Sequence, residues 1–103
     1  MSDTDASDAE LSAAQEMAKE IGEAIEACEG AIVGRSLAVR AYRDGFKTEA
    51  MVHVTEAAAA LLVARADIAA RYSLRTVEDV IALQVDAIFR GDLAMHEKEA
   101  RQN

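Results

Sequence analysis

The chain has no proline, no tryptophan, one cysteine, two histidines and only four aromatic residues (Tyr42, Phe46, Tyr72, Phe89) in 103 positions. Each scarcity excludes something. Cys28 alone cannot form a disulfide within the chain. Without proline, helix ends lose their strongest punctuation, so boundaries must be read from caps and glycines. No apolar run approaches the roughly 20 residues of a membrane span; the longest uncharged run, Ala57 to Ala64, is short and mostly alanine. Met1 to Glu10 is acidic and polar, so no secretory signal is expected there, and a soluble, cytoplasmic protein is. The length allows one domain at most.

Alanine is what the chain has in abundance. Apolar residues make up 51% of it, and 23 of those 53 are Ala. Alanine supplies helix propensity but little core volume. A small globule must bury enough apolar area to offset the entropy of ordering its backbone, and larger side chains normally do this. Long, thin helices steadied by neighbouring chains suit the composition better, so self-association is expected.

Charge is segregated. The net charge is −8, and all of it falls in residues 1–30, where nine acids face only Lys19. Residues 31–103 hold ten acids and ten bases. Within them Arg35, Arg40, Arg43 and Lys47 face only Asp44. An acidic first helix and a basic second one can pair, within a chain or between chains, or can simply present solvated faces. A phosphate backbone would meet a strongly anionic N-terminal third, which disfavours nucleic acid as a partner.

Periodicity predicts three amphipathic helices and no strands. Residues 1–6 read as a disordered acidic leader and 7–103 as a single helical domain. Ser7-Asp8-Ala9-Glu10 has the form of a capping box. From there Leu11, Ala14, Ala18, Ile21, Ala24/Ile25, Cys28 and Ile32 recur in steps of three and four, a coiled-coil-like seam. Gly30 and Gly34 either end this helix or weaken it by about 1 kcal/mol each. A long middle helix is expected from about 34 to 72, kinked near Asp44-Gly45, with the seam Met51, Val54, Ala58, Leu61, Arg65, Ile68 and Tyr72. Unbroken, it would run about 57 Å at 1.5 Å per residue. Arg65 can lie along an apolar groove with its head in water.

Thr76 reads as the N-cap of a third helix over about 77–101, with Glu78 and Asp79 favoured by the helix dipole. Val77, Val80, Ile81, Leu83, Val85, Ile88, Phe89, Leu93 and Met95 cover more of it than one stripe requires. It is therefore either central in a bundle or equipped with a second apolar surface. Gln84 within it is a register-setting hydrogen-bonding residue or an ordinary half-exposed glutamine.

Catalytic chemistry has few residues to work with. Glu49, His53 and Glu56 share one helical face, but a ferritin-like di-iron bundle needs two Glu-x-x-His pairs and two further glutamates. His96 lies in the charged tail. Cys28 sits on an apolar seam between Glu26 and Glu29, a setting for a buried thiol and not for a thiolate. Gly30-Ala31-Ile32-Val33-Gly34 lacks the Lys and Ser/Thr of a phosphate loop. Asp44, Glu49 and Asp67 are too dispersed for an acid/base pair. No catalytic residue, cofactor or metal ligand is nominated, and no enzyme is expected.

One stretch carries a likeness. Ala69 to Gln84, with its Ser73 break, the acidic turn Glu78-Asp79 and the pair Leu83-Gln84 followed by Phe89-Arg90, resembles the C-terminal half of phasins. Ala57 to Ala70 and Glu23 to Ala27 are similar more loosely, so the likeness is best over about residues 50–95. The resemblance implies a small helical protein that coats polyhydroxyalkanoate granules, self-associates through coiled-coil-like helices and keeps acidic faces toward water. On that basis a dimer or tetramer is expected, with Val77, Val80, Ile81, Leu83, Ile88 and Phe89 at the granule or in oligomer contacts. A homo-oligomeric scaffold or protein-binding module is the alternative, and a ferritin-like metal-binding bundle the third.

Overall fold

The computed structural model describes the backbone of residues 2–102 and the side chains of residues 10–92. It is all-helical, with no strand among the described residues. Five helices follow one another: α1 (Ser2–Glu26), α2 (Glu29–Arg43), α3 (Lys47–Ala64), α4 (Ala66–Arg71) and α5 (Leu74–Gln102). The expected count of three is thus too low. The long middle helix does not exist as one rod, because it is divided at Asp44–Phe46 and at Arg65; its expected end near Tyr72 is where α4 ends. Residues 2–6, expected as a leader, fall within the range of α1. That helix also runs through Ser7–Glu10, so the expected capping box is not a helix start.

Local chemistry explains most of the breaks. At the end of α2 the Gly45 N–H donates to Tyr42 O (3.1 Å) and the Phe46 N–H to Ala41 O (2.9 Å). This paired 5→2 and 6→1 pattern closes a helix around a left-handed residue. Gly45, at φ 88°, is the residue that adopts that conformation without a Cβ clash. The result is a full reversal and not the expected kink.

Arg65 is extended (φ −127°, ψ 92°) between α3 and α4. Its guanidinium reaches Asp67 by two bonds, Nε to Oδ1 at 2.9 Å and Nη2 to Oδ2 at 2.8 Å. Asp67 also lies in the first turn of α4, where a carboxylate complements the unpaired N–H groups. The cap of α5 is Ser73, not Thr76: the Ser73 Oγ accepts from the Thr76 N–H at 3.2 Å.

Between α1 and α2 no glycine intervenes. Cys28 turns extended (φ −121°, ψ 105°) while its N–H still donates to Ile25 O at 2.9 Å. Gly30 and Gly34 lie inside α2. They neither end nor merely weaken a helix. A Cβ on Gly34 would sit 2.7 Å from Ala57 Cβ and 3.0 Å from Ala57 Cα, and one on Gly30 3.1 Å from Ala60 Cβ. Glycine here lets α2 and α3 meet backbone to side chain, and these two share the most extensive interface in the chain.

The core is one cluster. Ile21 and Ile25 come from α1, and Ala31, Ala38 and Val39 from α2. Val54, Ala57, Ala58 and Leu61 come from α3, Ile68 from α4, and Val77, Ile81 and Val85 from α5. No described polar or charged residue is buried in it. Alanine is as common in it as valine because the helices approach so closely; small side chains replace bulk where separation is short.

Candidate functional site

The surfaces follow from which faces this packing consumes. On α5 the sequence put six apolar residues at a granule or oligomer contact, and the bundle itself takes most of them. Val77, Val80 and Ile81 are buried within the single chain, as is Val85. Phe89 is half-buried, its ring edge-on to Tyr42 with centroids 4.9 Å apart. Leu83, 71% exposed, and Ile88, 38% exposed, remain on the surface. At 100° per residue Leu83 projects among Asp79, Asp86 and Arg90, so it is an isolated apolar point in a charged face. Leu93 and Met95 lie outside the described side chains.

Helix α3 is different. Its core face is Ala50, Val54, Ala57, Ala58 and Leu61. Its opposite face carries Val52, Ala59 and Val63, which project within about 40° of one another, with the exposed Glu56 beside them and Met51 to one side. All five are exposed, Val63 to 88%. Thr55 shares that face, its hydroxyl donating to Glu78 Oε2 at 2.8 Å. Of the middle seam expected from the sequence, Val54, Ala58, Leu61 and Ile68 are buried and Tyr72 is half-buried. Met51 is exposed instead.

The first seam divides in the same way. Ile21, Ala24, Ile25 and Cys28 are buried, whereas Leu11 is 59% exposed and Ala14 and Ala18 are exposed too. From Glu10 to Lys19 only Met17 is even half-buried. This half of α1 overhangs the bundle.

Polar contacts tie α1 to α2 and to the end of α4. Arg35 Nη1 lies 2.8 Å from Glu26 Oε1 and donates to Gln84 Oε1, also at 2.8 Å. Gln84 thereby links α5 to α2. At the other end Glu20 pairs with Arg71 and accepts from the Tyr72 hydroxyl at 2.7 Å. The acidic first helix does meet the basic second one within the chain, among the described residues only through Glu26 and Arg35. Arg43 instead pairs with Asp92. Arg40 is exposed and makes no ion pair among the described residues.

Beyond the Arg35–Gln84 contact, α2 and α5 continue side by side, parallel, to the Arg43–Asp92 pair. A shallow trough runs there, lined by Ser36, Val39, Arg43 and Ile88 and continuing over α2 to Ile32 and Arg40.

Titratable groups give little chemistry. His53 Nδ1 is buried without a hydrogen-bond partner and lies 3.8 Å from Glu56 Oε2. No three His, Cys, Asp or Glu side chains converge among the described residues. Cys28 occupies the N-cap position of α2, which periodicity did not reveal, but its Sγ is buried and donates to Ala60 O at 3.9 Å. The hydrogen bonds from Arg65 hold Asp67 down at a pKa of about 2, and the same contact raises that of Arg65. That pair shapes the α3–α4 corner. Among the described residues no helix is long and apolar enough to cross a membrane.

No family model matches the chain, and no curated protein or solved structure is significantly similar to it.

Proposed function

We propose that the chain is a non-catalytic, amphipathic helical protein that lies on a hydrophobic surface through the outer face of α3. A polyhydroxyalkanoate granule is the surface that the phasin resemblance implies. The observation supporting this is that α3 exposes Val52, Ala59 and Val63, with Glu56 among them, on the side facing water, besides burying an apolar side in the core. Apolar residues grouped on the exposed side of a helix mark a contact surface more often than singly scattered ones do. Withdrawing Val52 and Val63 from water is worth about 1–2 kcal/mol each, enough to bias adsorption when several chains cooperate. The net charge of −8, concentrated in α1, then keeps coated particles apart by repulsion.

This places the contact on α3, whereas the sequence placed it on the C-terminal helix. Val77, Val80 and Ile81 hold the bundle together and would reach a surface only if it opened. A homo-oligomeric scaffold is the second reading, and the α1 overhang favours it. Leu11, Ala14 and Ala18 extend the buried seam of Ile21 and Ile25 into solvent, where a helix alone has little to stabilise it.

Co-sedimentation with amorphous polyhydroxybutyrate particles tests the proposal. Saturable binding of the wild-type chain that is lost in Val52→Asp/Val63→Asp is expected. Both positions are exposed, so the double variant should retain its fold. Absence of binding at micromolar protein would remove the coat reading, and binding unaffected by the double variant would remove α3 as the contact.

A further inference from the structure

We infer that α1 is a releasable strap, latched by Glu20 and hinged at Ala27–Cys28, which swings off a bundle of α2–α5 that stays folded without it. Three features carry this reading.

The first is how little of α1 is attached. From Glu10 to Lys19 only Met17 is half-buried, and Glu23 and Glu26 are exposed. The buried cluster takes just Ile21, Ala24 and Ile25 from this helix, and all its other members except Cys28 belong to α2–α5. The most extensive interfaces join α2 to α3, α3 to α5 and α2 to α5, and leave α1 out. The Tyr42–Phe89 and Arg43–Asp92 contacts also tie α2 to α5 without it. Release of α1 therefore removes a covering layer and not the frame.

The second is the latch. At the end of the attached stretch far from α2, Glu20 pairs with the Arg71 guanidinium and accepts from the Tyr72 hydroxyl at 2.7 Å. Within its own helix Glu20 stands about one turn from both Glu16 and Glu23, with Lys19 the only base between them. Like charges at that spacing oppose a helix, and Arg71 offsets the repulsion only while α1 is docked. Glu26, beside the hinge, pairs with Arg35. Once Glu20 lets go, that is the one ion pair left to α1 among the described residues.

The third is the hinge. Ala27 and Cys28 alone separate α1 from α2. Ala27 is exposed, and Cys28 is extended, at φ −121° and ψ 105°. The Cys28 carbonyl accepts from the Ile32 N–H at 3.0 Å, and its Sγ reaches Ala60 O at 3.9 Å. Cys28 thus stays with α2 and α3 while the residues before it rotate. A few residues at the end of an element suffice to absorb such a rotation. Strap release does not involve the outer face of α3, so it and the granule-coating proposal can fail separately.

Amide hydrogen exchange of the full chain, read by NMR across low urea concentrations, tests the strap. Amides from Ile21 to Glu26 are expected to be at least about tenfold less protected than those from Val54 to Leu61. Their protection should also depend less on urea, because releasing α1 exposes less surface than global unfolding. Glu20→Ala should lower α1 protection about fivefold or more, and Tyr72→Phe by less. Val54→Ala, at a buried site in α3, should lower protection in α2 and α3 but leave that of α1 within about twofold, since α2 and α3 stay packed when α1 opens. Gly34→Ala should do the same, and far-UV circular dichroism confirms that each variant is folded. One shared protection and urea slope for α1 and α3 would overturn the inference. So would α1 protection that falls with Val54→Ala and Gly34→Ala as far as that of α3, or that ignores Glu20→Ala.

Discussion

Adding one methyl group at Gly34 should destabilise this protein even though the same change elsewhere in its helices should stabilise it. In a helix interior Gly→Ala is ordinarily favourable by about 0.5–1 kcal/mol, because alanine loses less backbone entropy on folding. At Gly34 the new Cβ would stand 2.7 Å from Ala57 Cβ, 3.0 Å from Ala57 Cα and 3.1 Å from Ala57 N. Two of those three atoms are backbone, so no rotamer change relieves the overlap. The α2–α3 seam must open, and it is the largest interface in the molecule. Overpacking of this kind costs about 1–3 kcal/mol, and the separated helices also lose dispersion contacts along their length.

Subtracting the propensity gain leaves a net loss of about 1–2 kcal/mol. Urea unfolding followed by circular dichroism should show the midpoint fall by about 1 M for a slope near 1–2 kcal/mol/M. Two internal controls bracket the result. Gly91 has nothing within 4 Å of a built Cβ, so Gly91→Ala should raise stability by about 0.5–1 kcal/mol. Gly30 meets only the Ala60 Cβ, at 3.1 Å, on an exposed rim, and Gly30→Ala should be close to neutral. If Gly34→Ala is as stable as the wild type, or follows Gly91→Ala upward, close packing at Gly34 is not what joins α2 to α3.

Other expectations follow from single contacts. Gly45→Ala places a Cβ in the left-handed conformation at φ 88° and should cost about 1–2 kcal/mol in the same assay. Ile81→Ala, at a fully buried site, should cost about 2–5 kcal/mol, whereas Leu83→Ala, two residues on and 71% exposed, should change stability by less than about 0.5 kcal/mol. The Asp67 carboxylate, bonded by Arg65, titrates near 2 instead of in the usual range. Its folded-state value is depressed, so whatever it contributes is present above the unfolded value near 3.9 and is lost as pH falls toward 2. Carbon-detected NMR titration should find the midpoint restored to the normal range in Arg65→Ala; an unchanged midpoint would refute the cause. The pair is exposed, so its effect on overall stability should be small.

The helical class could be read from the sequence because local propensity and periodicity both specify it. Ile21, Ile25, Val54, Leu61 and Ile68 stood out as seam residues, and all are buried. What could not be read was where the seams stop. Leu11 and Met51 keep the phase of their seams yet are exposed, since phase reveals a face and not whether a neighbour reaches it. Gly30 and Gly34 were read as weak points because a missing Cβ lowers helix propensity. That it also permits close approach depends on Ala57 and Ala60, more than twenty residues away. The four-residue spacing of Gly30, Gly34 and Ala38 was the available signal.

The helix count failed at Gly45, where a kink was expected and the chain reverses, and at Arg65, a break with no glycine or proline; the first break falls at Cys28 and not at Gly30 or Gly34. Thr76 resembled a cap, but Ser73, three residues earlier, reaches the orphan N–H. The C-terminal helix looked too apolar because Val77, Val80, Ile81 and Val85 serve neighbours on several sides. The surplus apolar face lay on α3, where a clean seam drew attention away from Val52, Ala59 and Val63.

Binding of the purified chain to amorphous polyhydroxybutyrate particles, with Val52→Asp/Val63→Asp measured beside the wild type, tests the central claim most directly. Saturable binding by the wild type, and its loss in a double variant with an unchanged unfolding midpoint, is the result the account predicts. Equal binding by both proteins, or by neither, would contradict it.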